Sequence, residues 1–276
     1  MSSAEFAGRY GPWALVLGAS DGVGAGFARA VASRGVGVVL VARREAALDD
    51  VAASISGAPT RVVAVDLTAA HAVEVITAAT ADLEVGTLFY CAGADPHYAR
   101  FVSQPVEHAV AMVQRNCVVP IRLCHHYAGP MQQRGSGAIV LVSSAAGLVG
   151  SSNMVAYSAT KAFDTVMAEA LWAELHPKGV DVLGLVLGLT DTPALRQLLL
   201  QRGRISDPDA PIPGAASAED VVACALANLA HGPTCFAGED ARLGDEVFRG
   251  MSRNDAVRLM MQAGGGLMGS DDEVPA

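Results

Sequence analysis

Short, uninterrupted apolar runs closed off by Gly, Pro, Asp or Ser recur through the first two thirds of this 276-residue chain, at residues 14–17, 36–42, 61–65, 87–91, 138–142 and 181–187. Each has the length and content of a strand. Between them lie segments with helical spacing of apolar residues, at 23–34, 46–56, 69–81, 105–133 and 155–176. A strand wetted on one side would alternate apolar with polar residues. These do not, so the sheet is expected to be parallel and covered on both faces. Alternating strand and helix is the pattern of βαβ units, which predicts an α/β fold: a doubly wound parallel sheet, three layers deep (α/β/α), in a single domain. Ligands of such a sheet bind at the carboxyl ends of its strands.

The turn after the first strand, Gly18-Ala19-Ser20-Asp21-Gly22-Val23-Gly24, runs directly into a helix. Glycines tighten the backbone there and let a pyrophosphate approach the unpaired N–H groups and positive dipole end of the helix. The same turn with no ligand would be only a tight connection; its strand-turn-helix setting in the first βαβ unit favours a dinucleotide site of Rossmann type. The second strand ends Val41-Ala42-Arg43-Arg44, with no acid before Glu45. An acid at that point would hold a ribose 2′-hydroxyl, whereas arginine pairs with a 2′-phosphate. NADP(H) is therefore the expected cofactor, with Arg43 the stronger candidate and Arg44 its helper.

Tyr157 and Lys161 stand four residues apart, with Ser144 upstream. On a helix four residues advance about 400° and roughly 6 Å, so the phenol and the ammonium share a face. A cation there favours phenolate and makes the tyrosine a better proton donor and acceptor near neutral pH. Taken alone, the pair also fits an ordinary amphipathic helix.

Together these motifs resemble the short-chain dehydrogenase/reductase family over about residues 12 to 240. The family's glycine turn matches Gly18, Gly22 and Gly24, its adenine-side acid Asp66 in Val65-Asp66-Leu67, and its Asn-Asn-Ala-Gly element Tyr90-Cys91-Ala92-Gly93. Its helix asparagine matches Asn116, and its Ser, Tyr and Lys match Ser144, Tyr157 and Lys161. The resemblance implies a catalytic set of Asn116, Ser144, Tyr157 and Lys161. It implies a cofactor site of Gly18, Ser20, Asp21, Gly22, Val23 and Gly24, then Arg43, Arg44, Asp66 and Leu67, then Cys91, Ala92 and Gly93. Tyr157, Lys161, Gly188, Thr190 and Thr192 complete it.

Three positions depart from the family pattern. Leu17 replaces a threonine and Tyr90-Cys91 replaces two asparagines; losing linked polar partners together is coherent, because losing one alone would strand the other. Leu187 replaces the proline of the nicotinamide-side loop, while Gly188 and Thr192 remain. Trp13 and the Ser20-Asp21-Gly22 turn are similar to the branch with 3-ketoacyl-CoA reductases and hydroxysteroid dehydrogenases. The activity implied is interconversion of a ketone and a secondary alcohol on a lipid-like substrate. The other readings are a non-catalytic NADP-binding sensor or scaffold, and an epimerase or dehydratase using the same Tyr-Lys pair.

Residues 95–98, 147–154 and 189–216 fall where this fold builds substrate walls and a lid. Leu195, Leu198, Leu199 and Leu200 either line an apolar site or pack onto the body, and His97 either touches substrate or is solvated. Residues 1–11 are expected as an extension, 12–250 as the domain with a lid at about 189–216, and 251–276 as a C-terminal helix and tail. Further elements are expected at 218–230, 234–236 and 254–262, with 264–266 and 270–276 frayed.

With 19 Lys and Arg against 28 Asp and Glu, the net charge of -9 gives no footprint for nucleic acid. No leader pattern or membrane-length apolar run is evident, so the expectation is cytoplasmic, with a small-molecule carbonyl or alcohol substrate as partner. Five cysteines without a C-x-x-C pair read as reduced thiols with no metal. The family assembles through the long helices holding Asn116 and Tyr157, which implies a homodimer or homotetramer.

Overall fold

The computed structural model describes residues 1–262. In chain order the elements are α1 (Ser3–Tyr10), β1 (Trp13–Leu17), α2 (Gly22–Ala32), β2 (Gly37–Ala42), α3 (Glu45–Ala53), β3 (Thr60–Ala64), α4 (Ala72–Ala79) and β4 (Val85–Tyr90). Then come α5 (Val106–Val113), α6 (Val119–Arg134), β5 (Gly137–Ser144), α7 (Val155–Leu175), β6 (Val180–Leu187) and β7 (Thr190–Asp191). The chain continues through α8 (Pro193–Gln201), β8 (Ala216–Ser217), α9 (Ala218–Asn228), β9 (Thr234–Ala237), α10 (Glu239–Arg249) and α11 (Arg253–Gln262).

Seven strands form one sheet in the order β3-β2-β1-β4-β5-β6-β9, and every pair is parallel. The direction of winding reverses between β1 and β4, opening the crevice where such sheets take ligands. Because side chains alternate across a strand, each apolar run feeds two cores. Ala14, Val16, Val38 and Leu40 pack beneath α2, α3 and α9. Leu15, Leu17, Val39 and Val41 meet Ile76, Leu123 and Met131 on the other face. Each fully buried valine, leucine, isoleucine or methionine among them contributes about 1.5–3 kcal/mol.

Three segments differ from the sequence expectation. Residues 1–11, expected as an extension, contain α1, which Ser2 and Glu5 close with a capping box. The fully buried Tyr10 donates its hydroxyl to Asp181 Oδ2 at 2.6 Å, and Arg9 reaches the same oxygen at 2.6 Å. Burial and that carboxylate push the Tyr10 phenol up. The segment 105–133, expected as one helix, is divided by a π turn at Gln114–Val118. Finally, α10 follows β9 where no helix was expected. The expectations for 264–266 and 270–276 lie outside the described residues. Among the described residues, no helix is long and apolar enough to cross a membrane.

Candidate active site

The glycine turn leaves β1 at its carboxyl end, where Gly18 and Ala19 both donate to the Val41 carbonyl, at 2.8 and 3.1 Å. Gly18 (φ 80°) and Gly22 (φ 51°) are left-handed. A Cβ at Gly24 would lie 2.1 Å from the Gly18 carbonyl oxygen, so the turn closes only on glycine. Asp21 precedes α2 without capping it; its carboxylate accepts instead from Arg44 Nη2 at 2.7 Å. The first-turn amides of α2 are therefore not taken by that side chain, and the cradle fits a dinucleotide phosphate.

Arg43 is exposed just beyond β2, and its neighbour Arg44 is committed to Asp21. After β3, Asp66 Oδ1 accepts from the Thr68 amide and hydroxyl, both at 2.8 Å. Burial would raise the Asp66 carboxyl, but Thr68, Arg43 and Arg115 outweigh it and hold it low. Leu67 is buried beside it. The charges of Arg43 and Arg115 are thus felt at Asp66.

The departures at Leu17 and Tyr90 are internally satisfied. Leu17 is fully buried among apolar neighbours, and its carbonyl accepts from the Cys91 amide at 2.9 Å. The Tyr90 hydroxyl donates to the Arg115 carbonyl within the π turn, stitching β4 to the helix that carries Asn116. Such π turns are frequent at functional sites.

Asn116 is fully buried, and its Nδ2 donates to the Gly93 carbonyl at 3.2 Å and to Thr160 Oγ1 at 2.9 Å. A Cβ at Gly93 would come 2.8 Å from Lys161 Nζ, so only glycine lets the ammonium this close to the strand end. Tyr157 lies half-buried in the first turn of α7, with Lys161 Nζ 5.9 Å from its ring centroid. Ser144 ends β5, where its Oγ accepts from the Ala146 amide at 3.2 Å. Next to it, the buried Ser143 donates to the Lys161 carbonyl at 2.6 Å, pinning α7 against β5. A phenol, an ammonium and a hydroxyl thus stand at one rim of the sheet, side chains whose chemistry is able to pass a proton to and from an oxygen.

In the segment that follows β6 the missing proline has a substitute. The Gly188 amide donates to the Ala237 carbonyl at 2.9 Å, and the Leu189 amide to Asp240 Oδ2 at 2.6 Å. Thr190 Oγ1 donates to the Gly188 carbonyl at 3.1 Å, and Thr192 caps α8 through the Leu195 amide. The Thr192 methyl lies 3.3 Å from where a Gly22 Cβ would stand, so α8 begins against the glycine turn. Leu198 and Leu199 pack onto the body, whereas Leu200 is exposed and lines an opening beside α8 with Thr192, Arg196 and Pro208. A second opening reaches Tyr157 between Phe101, Met112, Val155 and the imidazoles of His97 and His108, which stack at 4.2 Å. His97 thus stands at the cleft wall.

Two residues of this neighbourhood were missed from the sequence, Asp240 and the buried Asp164, which accepts from Lys161 Nζ at 3.0 Å. The second had a faint signal, since residues three apart on a helix are neighbours. Asp240 had none.

Residues 12–203 match the family model for short chain dehydrogenases. The chain belongs to the short-chain dehydrogenase family. It is 33% identical over 258 residues to a 7beta-hydroxysteroid dehydrogenase of Clostridium sardiniense, covering 92% of this chain and 95% of that one. A solved structure from work on 7beta-hydroxysteroid dehydrogenase stereoselectivity superposes with a TM-score of 0.83 at 32% identity, covering 92% of this chain and 98% of the other. A short-chain dehydrogenase from Sphingobium yanoikuyae in complex with NADPH superposes with a TM-score of 0.72 at 29% identity, covering 87% and 94%. This short-chain dehydrogenase is accordingly a nucleotide-binding oxidoreductase acting on CH–OH groups, and the branch expected from Trp13 and the glycine turn is the one its relatives occupy.

Proposed function

We propose that this dehydrogenase interconverts a ketone and a secondary alcohol with NADP(H), on an apolar substrate of the steroid or ketoacyl-thioester kind. The observation that carries the reading is the rim holding Ser144, Tyr157 and Lys161 beside a cleft walled by Phe101, Met112 and Val155. Apolar walls with a few polar groups bind apolar ligands in fixed orientation. A bound nicotinamide supplies or takes up the hydride. The Tyr157 hydroxyl gives the substrate oxygen its proton, or removes it in the reverse direction, while Ser144 Oγ hydrogen-bonds that oxygen. Lys161 supports the phenolate, and Asn116 braces Gly93 against Thr160 so that the lysine keeps its place. The proposed cofactor contacts are those expected from the sequence, from Gly18 to Gly24, through Arg43 and Asp66, to Gly188 and Thr192. Complete proton-handling side chains favour an enzyme over a sensor.

Arg43 supports NADP(H), because an exposed guanidinium at the end of β2 suits a 2′-phosphate and no acid occupies the position. Fluorescence titration should show NADPH binding at least about tenfold tighter than NADH, with Arg43→Ala erasing the difference. Turnover of ketosteroids or ketoacyl thioesters should vanish in Tyr157→Phe. Tighter NADH binding would reject the NADP(H) assignment, and NADPH binding without turnover over that panel would favour the sensor reading. Exposed Val110, Ile121 and Val166 along α5, α6 and α7 support assembly as a dimer or tetramer. A cytoplasmic location is part of the same reading.

A further inference from the structure

Lys161 shares its ammonium with a carboxylate that the proposed redox chemistry does not use. One turn further along α7, Asp164 Oδ2 accepts from Nζ at 3.0 Å, and from the other side the Val142 carbonyl of β5 accepts at 2.8 Å. Both side chains are sealed, at 4% and 3% exposed. An ammonium has three N–H donors, so one is left for the cofactor and Tyr157 side. Asp164 Oδ1 is buried and has no hydrogen-bond partner among the described residues.

The other titratable groups around the pair are Tyr90 of β4, Cys91 beyond it, Cys117 in the π turn, Cys124 of α6 and Tyr157 on α7 itself. Burial pushes the Tyr90 phenol up, the Cys91 and Cys124 thiols up to about 12, and Cys117 to about 11. None of these four groups is ionised near neutral pH. Arg115, from the π turn, donates instead to the Ala94 carbonyl. Asp164 is thus the carboxylate that Lys161 faces, in surroundings where a nearby charge is strongly felt. Burial also raises the Asp164 carboxyl, more than Lys161 lowers it.

We propose that Asp164 is a positioning residue for the redox chemistry: it holds the Lys161 ammonium back toward β5 and offsets its charge, so that the Lys161–Asp164 pair, rather than the lysine alone, sets the pH range in which Tyr157 serves as a base. This rests on the function proposed above for Tyr157 and Lys161. A negative charge disfavours a second one nearby, so removing the carboxylate makes the phenolate easier to form.

The test is Asp164→Asn, which keeps an acceptor for Nζ without the charge. Phenolate absorbance of the cofactor-free protein is titrated against the same protein carrying Tyr157→Phe, so that the difference reads Tyr157 alone. The midpoint should fall by about half a pH unit or more, and the acid limb of kcat/KM for alcohol oxidation should move the same way. An unmoved midpoint in folded Asp164→Asn overturns the proposal. Asp164→Ser is the second variant, and failure of both to fold would assign the carboxylate to stability alone, which also overturns it. A shifted midpoint without turnover of any ketone leaves the Asp164 inference standing and removes the reductase reading; turnover with no shift does the reverse.

Discussion

At the scale of single residues, the site depends on close approaches that one extra carbon would break. Gly93 admits the Lys161 ammonium, and Gly188 sits where a Cβ would strike Asp240 Oδ1 at 1.9 Å. Asp240 replaces by a side-chain hydrogen bond what a proline ring would enforce by covalent geometry, and it does so from a helix far along the chain. Asp240→Ala should therefore leave the Leu189 amide without this acceptor and loosen the nicotinamide-side loop, raising the KM for cofactor several-fold while kcat changes less. Because the carboxylate is exposed, the stability loss should be small, about 1 kcal/mol or below by denaturant unfolding. Asp240→Asn, which retains an acceptor, should restore most of the affinity. An unchanged KM in the alanine variant would show that the loop is held by the Gly188–Ala237 bond instead. The grouping of Ser144, Tyr157 and Lys161 was legible in the sequence because one strand, β5, and one helix, α7, carry them, whereas Asn116 was legible only through the family resemblance. Asp240 and Asp164 were not, since a carboxylate's partner is decided by which elements meet in space.

At the scale of elements, continuous apolar runs disclosed the strands, since both faces of a parallel sheet are buried. Helix boundaries were less legible. The π turn that places Asn116 inserts into a segment whose spacing looks uninterrupted, because one widened turn barely disturbs the apolar stripe. Two short helices escaped for opposite reasons. The α1 segment had a capping box, Ser2 with Glu5, but too few turns to show periodicity. The α10 segment had favourable charges at both ends, acids in its first turn and Arg249 in its last, but no capping side chain to mark its start. Helix α8, within the proposed lid, is tied at its base by Arg196, whose Nε and Nη2 hold Asp191 at 2.6 and 2.8 Å. Arg196 holds the Asp191 carboxyl below its ordinary 3.8. A lowered carboxylate stabilises the folded arrangement above its unfolded pKa and loses that contribution as pH falls through the folded value. Amide hydrogen exchange of residues 193–212 should accordingly quicken, relative to the sheet, once the pH falls below about 4, and Arg196→Met should show the faster exchange already at neutral pH. Equal exchange in both proteins at every pH would mean that the clasp does not hold the lid.

At the scale of the whole molecule, the polar groups of the proposed site gather at one rim of the sheet, on the carboxyl ends of β1 to β6 and the segments that follow them. The valines of α5 and α7 are left outward on a flank, with Val110 and Val166 each 62% exposed. Light scattering should report a dimer or tetramer, and Val110→Glu or Val166→Glu should shift the mass toward the monomer, by placing charge in an apolar contact. A monomer in the unmodified protein would refute that assembly. At the opposite rim, Asp181 gathers Tyr10, Arg9 and His176 around the amino end of β6. That knot joins the chain's first helix to its sixth strand as far from the chemistry as the sheet permits. One end of each strand can thus be rewritten by selection for a new ligand while the other keeps the first helix and the sixth strand stitched together, a division of labour that lets specificity drift without unravelling the protein.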